Sequence, residues 1–340
     1  MVNEQSNRQI ILDHRPSGYP TSETFKMITT DIPPLRDGQV LIRTVWLSVD
    51  PYMRGRISDA RSYTPPHPVG VTMPGGTVGK IVVSQNDSYP VGSFVSAPAG
   101  WQDYYISNGN NLRVLDPKLA PISTALGILG MPGLTAYHGL YEIGKPQVGE
   151  TLVVSGASGA VGAVVGQLGK LSGCKVIGIA GSREKVNYLS DELGFDAVIN
   201  YKTDSVADHL KDACPDGVDI YFDNVGGPIT DAVMENLTYR ARIIICGQIS
   251  QYNLEEPDLG PRNLRQILTN QATIEGFIVG RFSDRADAAR SRLTQLLLDG
   301  KLQYMEDIVE GLENAPDAFM GLFQGKNFGK MLVQVSSEKD

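Results

Sequence analysis

Beyond residue 150 the chain alternates short apolar, β-branched runs with longer segments of helical character. The runs are TLVVSG (151–156), KVIGIAG (175–181), DAVINY (196–201), VDIYFDNV (218–225), ARIIICG (241–247) and ATIEGFIV (272–279). Between them lie AVGAVVGQLGKLSG, REKVNYLSDELG, SVADHLKDAC, PITDAVMENL and PRNLRQILTN. Strands that are apolar throughout are strands covered on both faces. Six of them with intervening helices predict an α/β fold built on a doubly wound parallel sheet.

The first 120 residues have a different texture. QVLIRTVWLSVD (39–50), TVGKIVVS, GSFVSA and WQDYYIS are strand candidates separated by Gly, Pro and Asn turns, and helical periodicity is scarce. This pattern predicts a small β-barrel or sandwich. From Pro121 the chain becomes apolar and rich in helix formers (ISTALGILGMPGLTAYHGLYEIG), interrupted at Pro132-Gly133. A last long helix, RADAARSRLTQLLLDGKL, precedes ENAPDAFMGLFQGKNFGKMLVQV, which reads as a helix and a strand returning to the first domain. The expected organisation is therefore a β-rich domain of residues 1–121 and 307–340, with the sheet domain, 122–306, inserted in it.

Composition narrows the function classes. The chain has 340 residues, 41% apolar and 20% charged, with a net charge of −8, which is the balance of an ordinary globule. No Lys/Arg run offsets the acidic balance, so a nucleic-acid partner is not expected. No apolar stretch approaches a membrane span, and MVNEQSNRQIIL lacks a signal core, so a cytoplasmic protein without membrane attachment is expected. Cys174, Cys214 and Cys246 form no CxxC, and His14, His67, His138 and His209 form no HxxxH. Cys174 and Cys246 read as small core residues, and no protein-bound metal is expected.

The glycine spacing in SGASGAVG carries more chemistry. Gly156, Gly159 and Gly162 follow one strand and open a helix, where a missing side chain lets the backbone approach a pyrophosphate and the helix N-terminus attracts the anion. At the end of the second strand such units often place an acid that grips a ribose diol. Here Ser182, Arg183 and Lys185 offer a hydroxyl and two cations, with Glu184 between them. An acid would repel a 2′-phosphate, whereas these groups attract it, which favours NADP(H); the alternative is a merely solvated helix start. FDNVGG and CGQISQYN close the fourth and fifth strands, placing Asn224, Gly226, Gly247 and the loop Gln248 to Tyr252 at the same sheet edge.

LSVDPYMRGRISDARSYTPP, GMPGLTAYHGL, GETLVVSGASGAVG, GSREKV, FDNVGG, CGQISQYN, EGFIV and GLENAPDAFMGLFQGKNFGK span nearly the whole chain. With them the sequence resembles the zinc-independent branch of the medium-chain dehydrogenase/reductase superfamily. More narrowly it is similar to the NADPH-dependent 2-alkenal and prostaglandin reductases and their bacterial curcumin reductase members. The resemblance implies a Rossmann domain inserted in a GroES-like β-rich domain. It implies pyrophosphate contacts from Gly159, Ala160, Val161 and Gly162, and 2′-phosphate contacts from Lys185 and Tyr201. Asn224, the loop of Cys246, Gly247, Gln248, Ile249, Ser250 and Tyr252, then Phe277, Ile278, Val279 and Asn327 would line the remaining cofactor surface. The GHE motif and four-cysteine lobe of the superfamily's zinc enzymes do not occur in the sequence.

Hydride addition to the β-carbon of a conjugated ketone leaves an enolate, whose oxygen needs a hydrogen-bond donor. Tyr252, matching the family's SxYN tyrosine, is the first candidate, either as that donor or as the source of the α-carbon proton. Tyr52 and Tyr63 follow, in loops that resemble those framing the family's substrate cleft. Arg56, Met131 and Pro132 are further candidate substrate contacts. Arg54 and Arg56 could instead serve only in ion pairs with nearby acids, and the Met131-Pro132 pair could merely kink a helix. His138 reads as a helix residue rather than a catalyst. The expected function is NADPH-dependent reduction of the C=C bond of enals and enones, with quinone reduction and a cofactor-binding structural protein as alternatives. The resemblance also implies a homodimer joined edge to edge through its sheets.

Overall fold

A computed structural model describes residues 6–339. The chain forms two compact units. One extends to Leu126 and resumes over Glu306–Asn327 and from Met331 onward; the other comprises Gly127–Met305 and Phe328–Lys330.

In the first unit β1 (Ser6–Leu12) pairs antiparallel with β2 (Phe25–Asp31). There follow β3 (Val40–Ser48), the short α1 (Met53–Arg56), β4 (Thr77–Ser84), β5 (Phe94–Ala97), β6 (Tyr104–Ser107) and β7 (Arg113–Leu115). The second unit runs α2 (Met131–His138), β8 (Thr151–Ser155), α3 (Gly162–Leu171), β9 (Lys175–Ala180), α4 (Arg183–Asn187) and β10 (Ala197–Asn200). It continues with α5 (Val206–Ala213), β11 (Val218–Asp223), α6 (Gly227–Met234), β12 (Leu237–Ile245), α7 (Leu264–Asn270), β13 (Thr273–Gly276) and α8 (Ala286–Leu298). The chain then adds β14 (Glu306–Glu310), α9 (Ala315–Leu322) and β15 (Lys330–Gln334).

The order of the second unit's sheet is β10-β9-β8-β11-β12-β13, parallel throughout. The chain starts in the middle, winds outward to β10, and returns to β11 beside β8. This is the doubly wound sheet that the apolar runs predict, and the crevice at its β8/β11 switch point is where such sheets bind ligands. Every residue of β8 is buried, because helices cover both faces. The helix α3 lies so close to β9 that Phe195 occupies the notch left by Gly166 and Gly178; a Cβ at Gly166 would fall 1.9 Å from the ring.

The expectation of a returning tail also describes the first unit. Strand β15 pairs antiparallel with β3 over Trp46–Ser48, while β6 pairs with the earlier half of β3. From α9, Phe319 packs edge-on, at 6.0 Å between centroids, against both rings of the Phe25–Trp101 stack. The pattern does not single out β1, β2, β7 or β14: β2 is exposed along most of its length, and in β1, β7 and β14 buried, partly buried and exposed positions do not alternate into a clean apolar face.

Pro132 neither breaks nor kinks its helix. It stands in the first turn of α2, where its missing N–H is not needed, and the chain interruption lies before it, at Gly127–Gly130. At the other end of α2, His138 is 1% exposed, and neither ring nitrogen has a hydrogen-bond partner. Its ring stacks on Phe282 at 4.9 Å and meets Tyr137 edge-on. Burial lowers its pKa, against Glu142 and Asp284, which favour the proton, while Arg285 opposes it. The unfolded chain therefore takes up a proton that the folded chain refuses once pH falls below about 6.5, and stability is lost in that direction. His138→Phe is expected to raise stability by about 1–2 kcal/mol, the cost of an unsatisfied buried polar group. It should also flatten the acid side of a thermal-unfolding profile, leaving a residual slope from His67, whose pKa burial also lowers. An unchanged profile would contradict this.

Candidate cofactor and catalytic site

The turn after β8 is a cradle that side chains would fill. Gly156 has φ +57°, and a Cβ on Gly162 would lie 2.4 Å from the Gly156 carbonyl oxygen. Gly159 donates to that same oxygen at 3.0 Å, and at Gly159 a Cβ would come within 3.3 Å of it. Ala160 and Val161 complete the turn into α3, where the Ala163 N–H donates to Gly159 O and those of Val164 and Val165 donate to Val161 O. These residues fit a dinucleotide pyrophosphate. The turn is tied to β9 through the Ala157 N–H, which donates to Ile179 O, and to Gly329, whose N–H donates to Ser158 O. Asn327 lies two residues before that contact.

At the end of β9, Ser182 caps α4, its hydroxyl accepting from the Lys185 N–H at 3.3 Å. A cap of this kind is worth about 1 kcal/mol and fixes where Lys185 begins its turn. Arg183 is exposed beside it. Tyr201 follows β10 and is half exposed, with its ring against Gly181: a Cβ there would meet the hydroxyl at 2.8 Å. Ser182, Lys185 and Tyr201 thus converge on one strand end. Gly181, which the pattern read only as the end of the run, is the residue that makes room for Tyr201.

The third group sits at the ends of β11 and β12. Asn224 donates through its side chain to Ser155 O at 2.7 Å. The N–H groups of Cys246 and Gly247 reach Asp223 O, that of Ile249 reaches Asn224 O, and that of Ser250 reaches Val225 O. The loop after β12 is thereby laced to the end of β11. Phe277 extends β13 by one bond, to Ile245 O, and is buried; Ile278 and Val279 continue past it, more exposed. Cys246 is partly buried just beyond its strand, and burial with the nearby Asp223 charge pushes its thiol up to about 12. A thiol raised in this way has little thiolate character.

The Tyr252 hydroxyl accepts from the Gln248 N–H at 3.2 Å and lies against Gly247, where a Cβ would be 3.1 Å from it. The phenol is therefore placed at the rim of the β12 loop, on the side of Gly247 that also faces Asn224. On α2, Met131 is partly exposed and Pro132 buried; the Thr135 hydroxyl fixes the Met131 carbonyl at 2.8 Å.

Within the β-rich unit, Tyr52, Arg56 and Tyr63 lie within electrostatic reach of one another. Burial, then Asp50 and Tyr63, hold the Tyr52 phenol well above its ordinary pKa, so it remains a protonated donor. Tyr63 is exposed. Arg54 and Arg56 donate to backbone carbonyls, of Gly18 at 2.8 Å and Pro65 at 2.7 Å, rather than only to acids. Among the described residues, no group of three or more His, Cys, Asp and Glu is arranged to hold a metal ion.

Two family models match the chain: "N-terminal domain of oxidoreductase" over residues 8–115 and "Zinc-binding dehydrogenase" over 160–295. The NADPH-dependent curcumin reductase of Escherichia coli is 46% identical over 98% of this chain and 99% of its own length. Prostaglandin reductase 1 of Rattus norvegicus is also 46% identical, over 93% and 95%. The crystal structure of CurA from Vibrio vulnificus in complex with NADPH superposes with a TM-score of 0.93 at 49% identity, covering 97% of this chain and 99% of that one. Fold, glycine turn and near full-length identity agree: the chain belongs to the NADPH-dependent 2-alkenal and prostaglandin reductase branch of the medium-chain dehydrogenase/reductase superfamily.

Proposed function

We propose that this chain reduces the C=C bond of α,β-unsaturated aldehydes and ketones, curcumin-like enones included, with Tyr252 stabilising the enolate. NADPH, when bound, supplies the hydride that reaches the β-carbon. The Gly156–Gly162 turn holds the pyrophosphate, and Ser182, Arg183, Lys185 and Tyr201 hold the 2′-phosphate. Asn224, Cys246–Ser250 and Phe277–Val279 support the other half, and Asn327 is assigned to the cofactor surface as well. The Tyr252 hydroxyl donates to the substrate carbonyl oxygen, where charge accumulates as the β-carbon is reduced. The α-carbon then takes a proton from a tyrosine or from water. Tyr52, Arg56, Tyr63, Met131 and Pro132 are assigned to substrate contact. The observation that carries the reading is the Tyr252 phenol fixed by the Gln248 N–H on the loop after β12, a loop hydrogen-bonded to Asn224 at the end of β11. NADPH oxidation with a panel of enals, enones and quinones tests it. Turnover of enones to saturated ketones is expected; turnover of quinones alone would replace it with quinone reduction.

A second copy of the chain is the proposed partner at the β13 edge. The helix α7 has no buried residue, Leu264 and Leu268 are 66% and 78% exposed, and β13 ends the sheet with Ile274 half exposed. An open strand edge flanked by exposed leucines is a site for sheet pairing. Sedimentation should give a dimer that Leu268→Glu converts to monomer; a monomeric parent at micromolar concentration contradicts the pairing. No helix of the described residues is long and apolar enough to cross a membrane. We place the protein in the cytoplasm without a nucleic-acid partner, on its three free thiols and net charge of −8. Recovery from a secreted or nucleic-acid-bound fraction would contradict that placement.

A further inference from the structure

We propose that Asp223 is the positioning residue for the nicotinamide half of the cofactor site, an inference that rests on the cofactor reading above. Its carboxylate is completely buried at the end of β11. One oxygen, Oδ1, accepts from Ser155 Oγ (2.9 Å), Tyr221 Oη (2.9 Å), the Val225 N–H (2.9 Å) and the Gly226 N–H (3.0 Å). The other, Oδ2, accepts from Thr230 Oγ1 at 2.6 Å. Its backbone oxygen receives the N–H groups of Cys246 and Gly247. The ends of β8, β11 and β12 and the first turn of α6 therefore meet at one residue, β12 through its backbone oxygen and the others through its carboxylate.

Burying a carboxylate without an ion pair is costly, and an apolar residue would pack a sheet end at less expense. What the carboxylate provides is a fixed register. Gly226 and Gly227 both have positive φ, so the turn they form has few local preferences to hold it. The Oδ1 bonds to two successive N–H groups fix that turn. Ser155 Oγ relays the constraint, accepting from the Asn224 N–H at 2.9 Å while donating to Asp223. Asn224 is thereby held over Gly156, where a Cβ would lie 3.5 Å from the Asn224 Cβ. Ser182, Arg183, Lys185 and Tyr201, which follow β9 and β10, lie outside this network.

The test compares two ligands on the full-length chain: NADPH, and adenosine 2′,5′-bisphosphate, which carries the 2′-phosphate but no nicotinamide. Ser155→Ala removes the relay, and Asp223→Asn removes the charge while keeping an acceptor at Oδ1. Ser155→Ala should weaken NADPH roughly tenfold and lower kcat, with adenosine 2′,5′-bisphosphate held within about twofold of the parent protein. Asp223→Asn should fall between the two proteins. Parallel loss of both ligands, or loss of neither, overturns the proposal. A parent protein that fails to bind adenosine 2′,5′-bisphosphate, or whose affinity for it ignores Lys185→Glu, overturns the underlying cofactor reading instead. Should Asp223→Asn fail to fold, Ser155→Ala decides alone.

Discussion

Lys185→Glu is expected to lower kcat/KM for NADPH on the order of 10²-fold while leaving NADH within a few-fold. The substitution removes a charge-assisted contact to the 2′-phosphate and sets a carboxylate in its place, so attraction is replaced by repulsion. Together these changes are worth about 3 kcal/mol when the phosphate is partly desolvated. The effect stays local because Lys185 joins the capped turn of α4 through its N–H to Ser182, a backbone bond that the substitution preserves. Coenzyme kinetics with both nucleotides measure it. Equal losses with NADPH and NADH would mean that Ser182, Lys185 and Tyr201 do not hold the 2′-phosphate.

The second large effect concerns chemistry rather than binding. Tyr252→Phe should lower kcat for an enone about 10²–10³-fold, with little change in the KM for NADPH. Loss of the oxygen removes the donor at the proposed oxyanion position together with the acceptor of the exposed Gln248 N–H, which water can replace. A charge-stabilising role predicts a loss concentrated in kcat, because the carbonyl oxygen carries little charge before hydride arrives. Full turnover by Tyr252→Phe, measured as NADPH consumption under saturating enone, would remove Tyr252 from the mechanism.

Much of the second unit could be read from the chain. Its inner strands β8, β9 and β11 are buried almost throughout, so each appears as an apolar run, and the glycines at 156, 159 and 162 mark a turn with little room for side chains. The edge and surface strands were harder. In β1 and β2, for example, buried and exposed residues do not alternate cleanly, because their partners are one another rather than a large sheet. At Pro132 the sequence is ambiguous, because a proline in an apolar stretch looks the same whether it interrupts a helix or opens one. Only the preceding Gly127–Gly130 turn decides between them. Asp223 and Gly181 were overlooked for a different reason. Each acts on residues brought close only by the sheet: Ser155 and Thr230 for the first, Tyr201 for the second. The signals were there in retrospect, an acid closing an apolar strand before two glycines, and a glycine ahead of a capped turn.

The most direct test follows a label. With NADPH deuterated at the transferable C4 position and a simple enone as substrate, the account predicts a saturated ketone carrying one deuterium on the β-carbon. A deuterated allylic alcohol, or cofactor oxidation without reduction of the double bond, would contradict it.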